Sequence, residues 1–297
     1  MLGRFGRDAG SLLGVEITSD SIRMLHLHRQ PGGRVAGWAN ERIGVAPGRS
    51  WLCDPGERLV AGLRQAHTRC RTVQSQVAVA LPSSQVICKV CRLPAGLTEH
   101  GVEAALLAQA EQLFPFTVED LALDFQVRGP CPDAAGQVEV VVVACRQSQL
   151  DPLERTFEQA GLQLVAVEVD SFALRRALMS EVQASATALM QLEPDEVVLH
   201  CWQGGLLPQR RHIALPSPTR WSEAVDGLWP LAVQAEVEKV VLFGSCADGV
   251  RAADLSERLG VDCHVGCPKP LVSGPDAARV PAAAMALACG LAMGGLG

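Results

Sequence analysis

Cys88-Lys89-Val90-Cys91 has the two-residue gap with which paired thiols share a zinc ion or exchange a disulfide. Cys263 and Cys267 enclose His264 and could supply the other half of such a ligand set. Strand geometry weighs against the first pair, because residues three apart on a strand point to opposite faces. The two pairs also lie far apart in the chain, whereas a zinc module is compact. His26 and His28 share a strand face and could bind a metal weakly, but a solvated face is the plainer expectation. The eleven cysteines are an odd number spread along 297 residues, which fits reduced, buried thiols better than the disulfide framework of a short secreted domain. Arg210-Arg211-His212 is a small basic cluster that could meet anionic lipid or an acidic partner, with a strand end in solvent as the default. There is no Gly-x-Ser-x-Gly elbow, no Walker-type loop and no two-glycine dinucleotide fingerprint. Gly294-Gly295-Leu296-Gly297 is a flexible end, since no strand leads into it and no helix follows.

The elements that hold these residues carry more information than the residues themselves. With 48% hydrophobic and 20% charged residues, the chain can build a sizeable core in one large domain or two lobes. A net charge of -6 is a poor match for nucleic acid, and the absence of Tyr with only 4% aromatics argues against base stacking. No apolar run reaches the roughly 18 residues of a membrane span. The opening MLGRFGRDAG lacks the apolar core of a secretory signal, so a cytoplasmic protein is expected. Arg4 and Arg7, with Leu2 and Phe5, could touch an anionic membrane, although a frayed end is the simpler expectation.

Three strands open the pattern, Leu12–Ile17, Ser21–His28 and Arg34–Ile43, separated by the turns Thr18-Ser19-Asp20 and Pro31-Gly32-Gly33. Arg23, His26 and His28 alternate loosely with Ile22 and Met24, so one face of the second strand is expected to be wet. A helix over Pro55–Cys70 presents Leu59, Leu63 and Ala66 on one side, and Gln76–Leu81 follows as a covered strand. This order of meander, helix and buried strand opens a ribonuclease-H-like lobe. Val86–Leu93 is a strand, and Thr98 caps one helix through Val102, Leu106, Ala110 and Leu113, stopped by Pro115. Strands at Leu121–Val127 and Gln137–Cys145 then flank the loop Gly129–Gly136. Asp151-Pro152-Leu153-Glu154 reads as a helix start, with Asp151 as cap, Pro152 in the first turn and Glu154 reaching back; Gly161 supplies the stop. Leu162–Val169 is a strand and Ser171–Val182 a helix. The second half repeats the pattern in strands Ala186–Leu192, Glu196–Trp202 and Gln209–Leu215, a helix within Trp221–Glu238 and strand Val240–Gly244. A helix at Ala252–Leu259, strand Val261–Val265 and a closing helix over Pro281–Met293 complete it.

Leu12–Leu27, Val77–Leu97, the helix-Phe114-Pro115-Phe116-strand run and Val138–Leu178 together resemble the PilM family of type IV pilus assembly proteins. The resemblance extends over nearly the whole chain. It implies an α/β, two-lobed actin-like (ribonuclease-H-like) fold close to that of the division protein FtsA, with an α+β subdomain inserted in the first lobe and a reduced second lobe. On that reading 1–9 is a flexible N-terminus, 10–81 and 148–184 form the first core lobe, and 82–147 is the insert. The second lobe is 185–297, with 281–297 packing back on the first.

The resemblance also implies a role. PilM-like proteins are cytoplasmic scaffolds, peripheral at the inner membrane, that grip the cytoplasmic N-terminal tail of PilN and couple the pilus motor ATPase to the PilN–PilO complex. A PilN-like tail is therefore the implied partner, in a type IV pilus or a related type II secretion-like machine, with self-association also open. The implied peptide groove lies between core lobe and insert, near Val86, Cys88, Val90, Leu93, Leu113, Phe114 and Phe116. An apolar groove with a wet rim is what peptide capture needs, although Phe114 and Phe116 could instead close the core of the insert.

Family members that bind Mg-ATP use two phosphate-gripping hairpins and a glycine-rich adenosine loop. The first hairpin matches Gly14–Ser21, including Thr18, where Glu16 replaces an Asp; Ser19, Asp20 and Ser21 keep a turn, but Asp20 points negative charge towards where phosphate would sit. The second, an Asp-x-Gly, matches Gln191-Leu192-Glu193, which lacks both the carboxylate and the glycine. The adenosine loop keeps one glycine, at Gly244-Ser245. Only Pro216–Lys239 is left for the subdomain that walls the nucleotide cleft, room for about one helix and a loop. The resemblance therefore implies a weakened, pseudo-ATPase-like nucleotide site, akin to the shortened HofM-like branch, with no cofactor expected. An active actin-like ATPase that times pilus assembly is the alternative.

Overall fold

The computed structural model describes residues 12–28, 34–43, 56–179, 186–203, 207–272 and 279–294. The chain begins with an antiparallel meander, β1 (Leu13–Ile17), β2 (Ser21–His28) and β3 (Arg34–Arg42), followed by α1 (Glu57–Cys70) and β4 (Gln76–Leu81). Every residue of β1 is buried, as are all but the first of β4, and the two run parallel with Leu13 opposite Val77. Such unbroken apolar strands must be covered on both faces. Leu59, Leu63 and Ala66 of α1 supply one cover and pack with Ile22, Met24, Val77 and Val79.

The chain then leaves the sheet to build a smaller unit from β5 (Ile87–Pro94), α2 (Glu99–Ala108), α3 (Ala110–Leu113), β6 (Leu121–Pro130) and β7 (Gln137–Arg146). Its antiparallel sheet has the order β5-β7-β6. The helices cover one face, where Val102 and Leu106 meet Leu93, Phe114, Val140 and Val142. Thr98 caps α2 by accepting the Gly101 amide at 3.2 Å. The single helix expected here is two, because Gln109 leaves the helical region (φ -106, ψ 3) and its side-chain amide donates back to the Ala105 carbonyl.

Returning to the core, the chain forms α4 (Gln147–Gln159), β8 (Gln163–Val169) and α5 (Asp170–Leu178), and β8 joins β4 in parallel. The first sheet thus has the order β3-β2-β1-β4-β8. The expected start at Asp151 is corrected, since α4 begins one turn earlier, at Gln147. The local signal was outcompeted by a distant cap: Asp120, at the start of β6, accepts the Ser148 amide at 2.9 Å and pairs with Arg146 at 3.0 Å. Pro152 accordingly lies inside the helix, where its missing N–H leaves the Ser148 carbonyl without a helical donor.

The second sheet repeats the first. β9 (Thr187–Leu192), β10 (Glu196–Gln203) and β11 (Leu207–Ala214) form a meander, α6 (Trp221–Gln234) crosses over, and β12 (Lys239–Phe243) pairs parallel with β9. α7 (Gly249–Leu259), β13 (Asp262–Val265) and the short α8 (Lys269–Val272) follow, giving the order β11-β10-β9-β12-β13. The last helix, α9 (Ala286–Gly294), starts five residues later than the sequence pattern suggested. It lies against β1, β2 and α5 of the first lobe. The approach is so close that a Cβ at Gly14 would sit 1.9 Å from the Ala288 carbonyl oxygen, and one at Gly290 2.0 Å from that of Ala173. Ala288, Cys289 and Ala292 pack there with Leu25 and Leu27, covering the second face of β2.

Candidate functional site

Glu16 sits opposite Arg23 in the register of the β1–β2 hairpin. β9 brings Gln191 and then Glu193 to the same place from the second lobe, and the loop after β12 brings Gly244 and Ser245. Arg23 is the centre of this constellation and is only 1% exposed. One guanidinium nitrogen donates to Glu193 Oε1 at 2.7 Å, to Glu16 Oε1 at 3.3 Å and to the Ala284 carbonyl at 3.2 Å. The other donates to Glu193 Oε2 at 2.7 Å. Gln191 Nε2 donates to Glu16 at 3.3 Å and to Glu193 at 3.2 Å. The Ser245 hydroxyl donates to Glu193 Oε2 at 2.5 Å and its amide to Oε1 at 3.3 Å. Paired carboxylate and guanidinium groups at this depth hold each other in place, because each would be strongly destabilised alone.

Electrostatics follow from burial. Desolvation pushes the Glu16 carboxyl up to about 7 against the attraction of Arg23, and Glu193 adds to the rise. Burial works against the Arg23 charge, but Glu16 and Glu193 more than offset it, and its pKa lies above the ordinary arginine value.

Backbone donors around the site are engaged as well. The Thr18 amide donates to the Ser21 carbonyl at 2.9 Å, and the Ser21 amide to the Thr18 hydroxyl at 3.0 Å, so the turn closes on itself while Ser19 stays exposed. Gly244 adopts φ +102 and its amide donates to the Ala283 carbonyl at 3.0 Å, while the Cys246 amide donates to the Leu192 carbonyl at 3.0 Å. A side chain at Gly244 would bring its Cβ within 2.5 Å of the Leu192 carbonyl oxygen.

A second cluster joins the lobes beside β4. Asp170 accepts the amides of Ser83 at 3.0 Å and Ser171 at 2.6 Å and faces Arg210 of β11 at 3.0 Å. The Ser171 hydroxyl lies 2.8 Å from His200 Nδ1. A hydroxyl, an imidazole and a carboxylate so placed invite a hydrolase reading. Ser171 and His200 are both fully buried, however, and Asp170 bonds the serine instead of orienting the histidine. Burial lowers His200 to about 4. The cluster is a neutral-histidine joint between lobes.

Two expectations are corrected here. Arg23 is not on a wet face, because α9 covers that side of β2. Arg210 does not stand in solvent but pairs with Asp170, leaving Arg211 and His212 exposed.

The seven residues assigned to a peptide groove divide between two faces. In β5, Cys88 and Val90 lie opposite Val143 and Val141, on the sheet face away from α2, and Cys88 and Val86 pack with the core lobe. Leu93, Leu113, Phe114 and Phe116 pack on the helix-covered face, where Leu93 and Phe114 are each 3% exposed. No single groove is lined by all seven. Phe114 closes the core of the insert with the Lys89 ammonium 5.7 Å from its ring centroid, and Arg146 lies 4.9 Å over Phe116. At the junction of insert and core lobe, a small crevice runs between Leu81, Val86, Asp124, Val143, Glu168 and Val169.

Cys88 and Cys91 face opposite sides of β5, Cys91 packing with the core of the insert, and burial pushes the Cys88 thiol up to about 11. Cys263 is buried and Cys267 exposed. Among the described residues, no group of three or more His, Cys, Asp or Glu is placed to hold a metal ion. Burial lowers His26, with His28 adding repulsion, and its Nδ1 meets the Thr72 hydroxyl at 2.9 Å. Arg4, Arg7, the turn 31–33 and the glycines 295 and 297 lie outside the described residues.

A family model described as type IV pilus assembly protein PilM matches residues 14–193. Among solved structures, the chain is similar to a PilM-PilN type IV pilus biogenesis complex, with 20% identity, a TM-score of 0.68 and coverage of 97% of this chain and 99% of that one. A glycerol dehydratase reactivase is similar at 10% identity and a TM-score of 0.50, covering 95% and 99%. The cytoplasmic domain of EpsL, an inner membrane component of the type II secretion system of Vibrio cholerae, gives 16% identity and a TM-score of 0.46 over 80% and 83%. The two repeated lobes have the actin-like architecture.

Proposed function

This chain belongs to the PilM family of type IV pilus assembly proteins, and we propose that it acts as a cytoplasmic scaffold that grips the N-terminal tail of a PilN-like inner-membrane protein. One observation carries the reading: the matched segment 14–193 contains both the first core sheet and the whole insert, hence the junction where a tail would be held. The likeness in fold to a chain of a PilM-PilN type IV pilus biogenesis complex supports it. No described helix is long and apolar enough to cross a membrane, so a partner of this kind would supply the attachment.

The tail lies along the face of the insert that carries Cys88, Val90 and Val141, beside the core lobe. Half-buried Val90 offers an apolar floor, and Arg92, Asp124 and Gln126 offer a polar rim on the same face. Through this grip the scaffold couples the motor ATPase of the pilus to the membrane complex. Calorimetry with a synthetic peptide of the PilN-like tail tests the reading. Saturable binding that Val90→Asp removes is the expected result. No binding of that peptide to the wild-type chain would overturn it.

A further inference from the structure

The positions that hold a nucleotide and its metal in an intact actin-like site do not fit that ligand in this chain. Glu16 and Glu193, each 4% exposed, present two carboxylates where phosphate would sit, and Arg23 already fills the space between them. An incoming phosphate would have to displace a bidentate, charge-assisted pair with two 2.7 Å bonds. It would also find the hairpin and loop amides of Ser21, Gly244, Ser245 and Cys246 engaged with other acceptors.

We propose that Arg23 replaces the ligand itself: a built-in cationic staple that holds the two lobes closed on each other without nucleotide or metal. The staple starts on β2 in the first lobe and ends on Glu193, just past β9 in the second. Its third anchor, the Ala284 carbonyl, precedes α9, so one guanidinium fixes both lobes and the closing helix. Planar fork geometry makes this an arginine's task, since lysine carries a point charge and cannot bond both carboxylate oxygens in parallel. Gln191 and Ser245 complete the shell by donating to the same carboxylates. In a nucleotide-gated relative, closure depends on ligand concentration. Here closure is a constant property of the chain.

Hydrogen exchange on the full-length chain tests the staple. Arg23→Met should speed exchange at least tenfold in the peptides covering residues 14–24 and 190–193, while α2 of the insert keeps its wild-type exchange. Wild-type protein should show neither heat nor altered exchange with Mg-ATP into the millimolar range. Saturable Mg-ATP binding that protects those peptides would overturn the proposal, as would unchanged exchange in the variant. Should Arg23→Met fail to fold, Glu193→Gln decides on the same readout, because it removes the charge and sets an amide NH2 where one of the two accepting oxygens was, which breaks the parallel pair with Arg23. The experiment uses the chain alone, so its failure leaves the reading of the partner tail intact.

Discussion

Arg23 and Glu193 stand 170 residues apart in the chain and meet through two parallel hydrogen bonds of 2.7 Å. Neither has a meaning on its own strand. Together they tie the first lobe to the second at a buried site.

Breaking the pair by one side should be costly, because it strands a buried charge. Arg23→Met or Glu193→Gln should each destabilise the chain by about 3–5 kcal/mol. The double variant should lose less than the sum of the singles, since contacting residues couple. Urea midpoints of the four proteins give the answer, and strictly additive losses would refute the pairing.

Glu16 should make stability depend on pH. Its folded pKa is raised to about 7, above an ordinary value of 4.5, by burial and by Glu193, against Arg23 and the Gln191 hydrogen bond. The folded state therefore holds the proton more tightly than the unfolded chain. Its contribution is fully present below pH 4.5 and fades as pH rises through about 7. Glu16→Gln keeps Oε1 for Arg23 and Gln191 but cannot ionise. It should flatten the fall in urea midpoint between pH 5 and pH 8 and stabilise the protein at the upper end. A variant with the wild-type slope would show that another group titrates.

Gly14→Ala should destabilise through packing alone. The added Cβ would meet the Ala288 carbonyl at 1.9 Å, backbone against backbone, which no side-chain rotation relieves. A loss of about 1–3 kcal/mol or more is expected for overpacking of this kind, read as a lowered melting temperature. An unchanged melting temperature would mean that α9 shifts freely.

The two faces of the insert should respond differently to mutation. Phe114→Ala removes a side chain that is 3% exposed and should cost about 3–5 kcal/mol. Val90→Asp touches a half-buried position on the other face and should abolish tail binding with little change in melting. Thermal scans and peptide calorimetry run on both variants separate the effects, and equal behaviour of the two would dissolve the distinction.

Much of the fold was legible in local pattern. The apolar runs of β1 and β4 and the spacing of Leu59, Leu63 and Ala66 were enough to read a meander, a helix and a covered strand. Distant contacts account for the failures. Asp151-Pro152 reads as a helix start by itself, but Asp120 caps the helix four residues earlier from across the insert. Arg23 reads as solvent-facing because nothing near it in sequence covers that side of β2, and its cover, α9, arrives at the end of the chain. The signal that could have found it is the hairpin register, which sets an arginine directly opposite Glu16. The resemblance set Phe114 and Val90 along one groove, whereas Val90 lies on the β5 face turned away from α2 and Phe114 packs in the core under the helices.

The closed arrangement around Arg23 also bears on how such a chain can change over generations. Restoring glycine at position 193 would leave Arg23 without its main partner, and replacing Arg23 alone would leave Glu16 and Glu193 facing each other in the dark of the interior. Losing either partner of the Arg23–Glu193 pair alone passes through a destabilised intermediate, so selection for stability keeps the two together. If Arg23 replaces a ligand as proposed, the pair behaves as an evolutionary ratchet: a ligand-dependent cleft is regained only by coordinated substitutions at both positions.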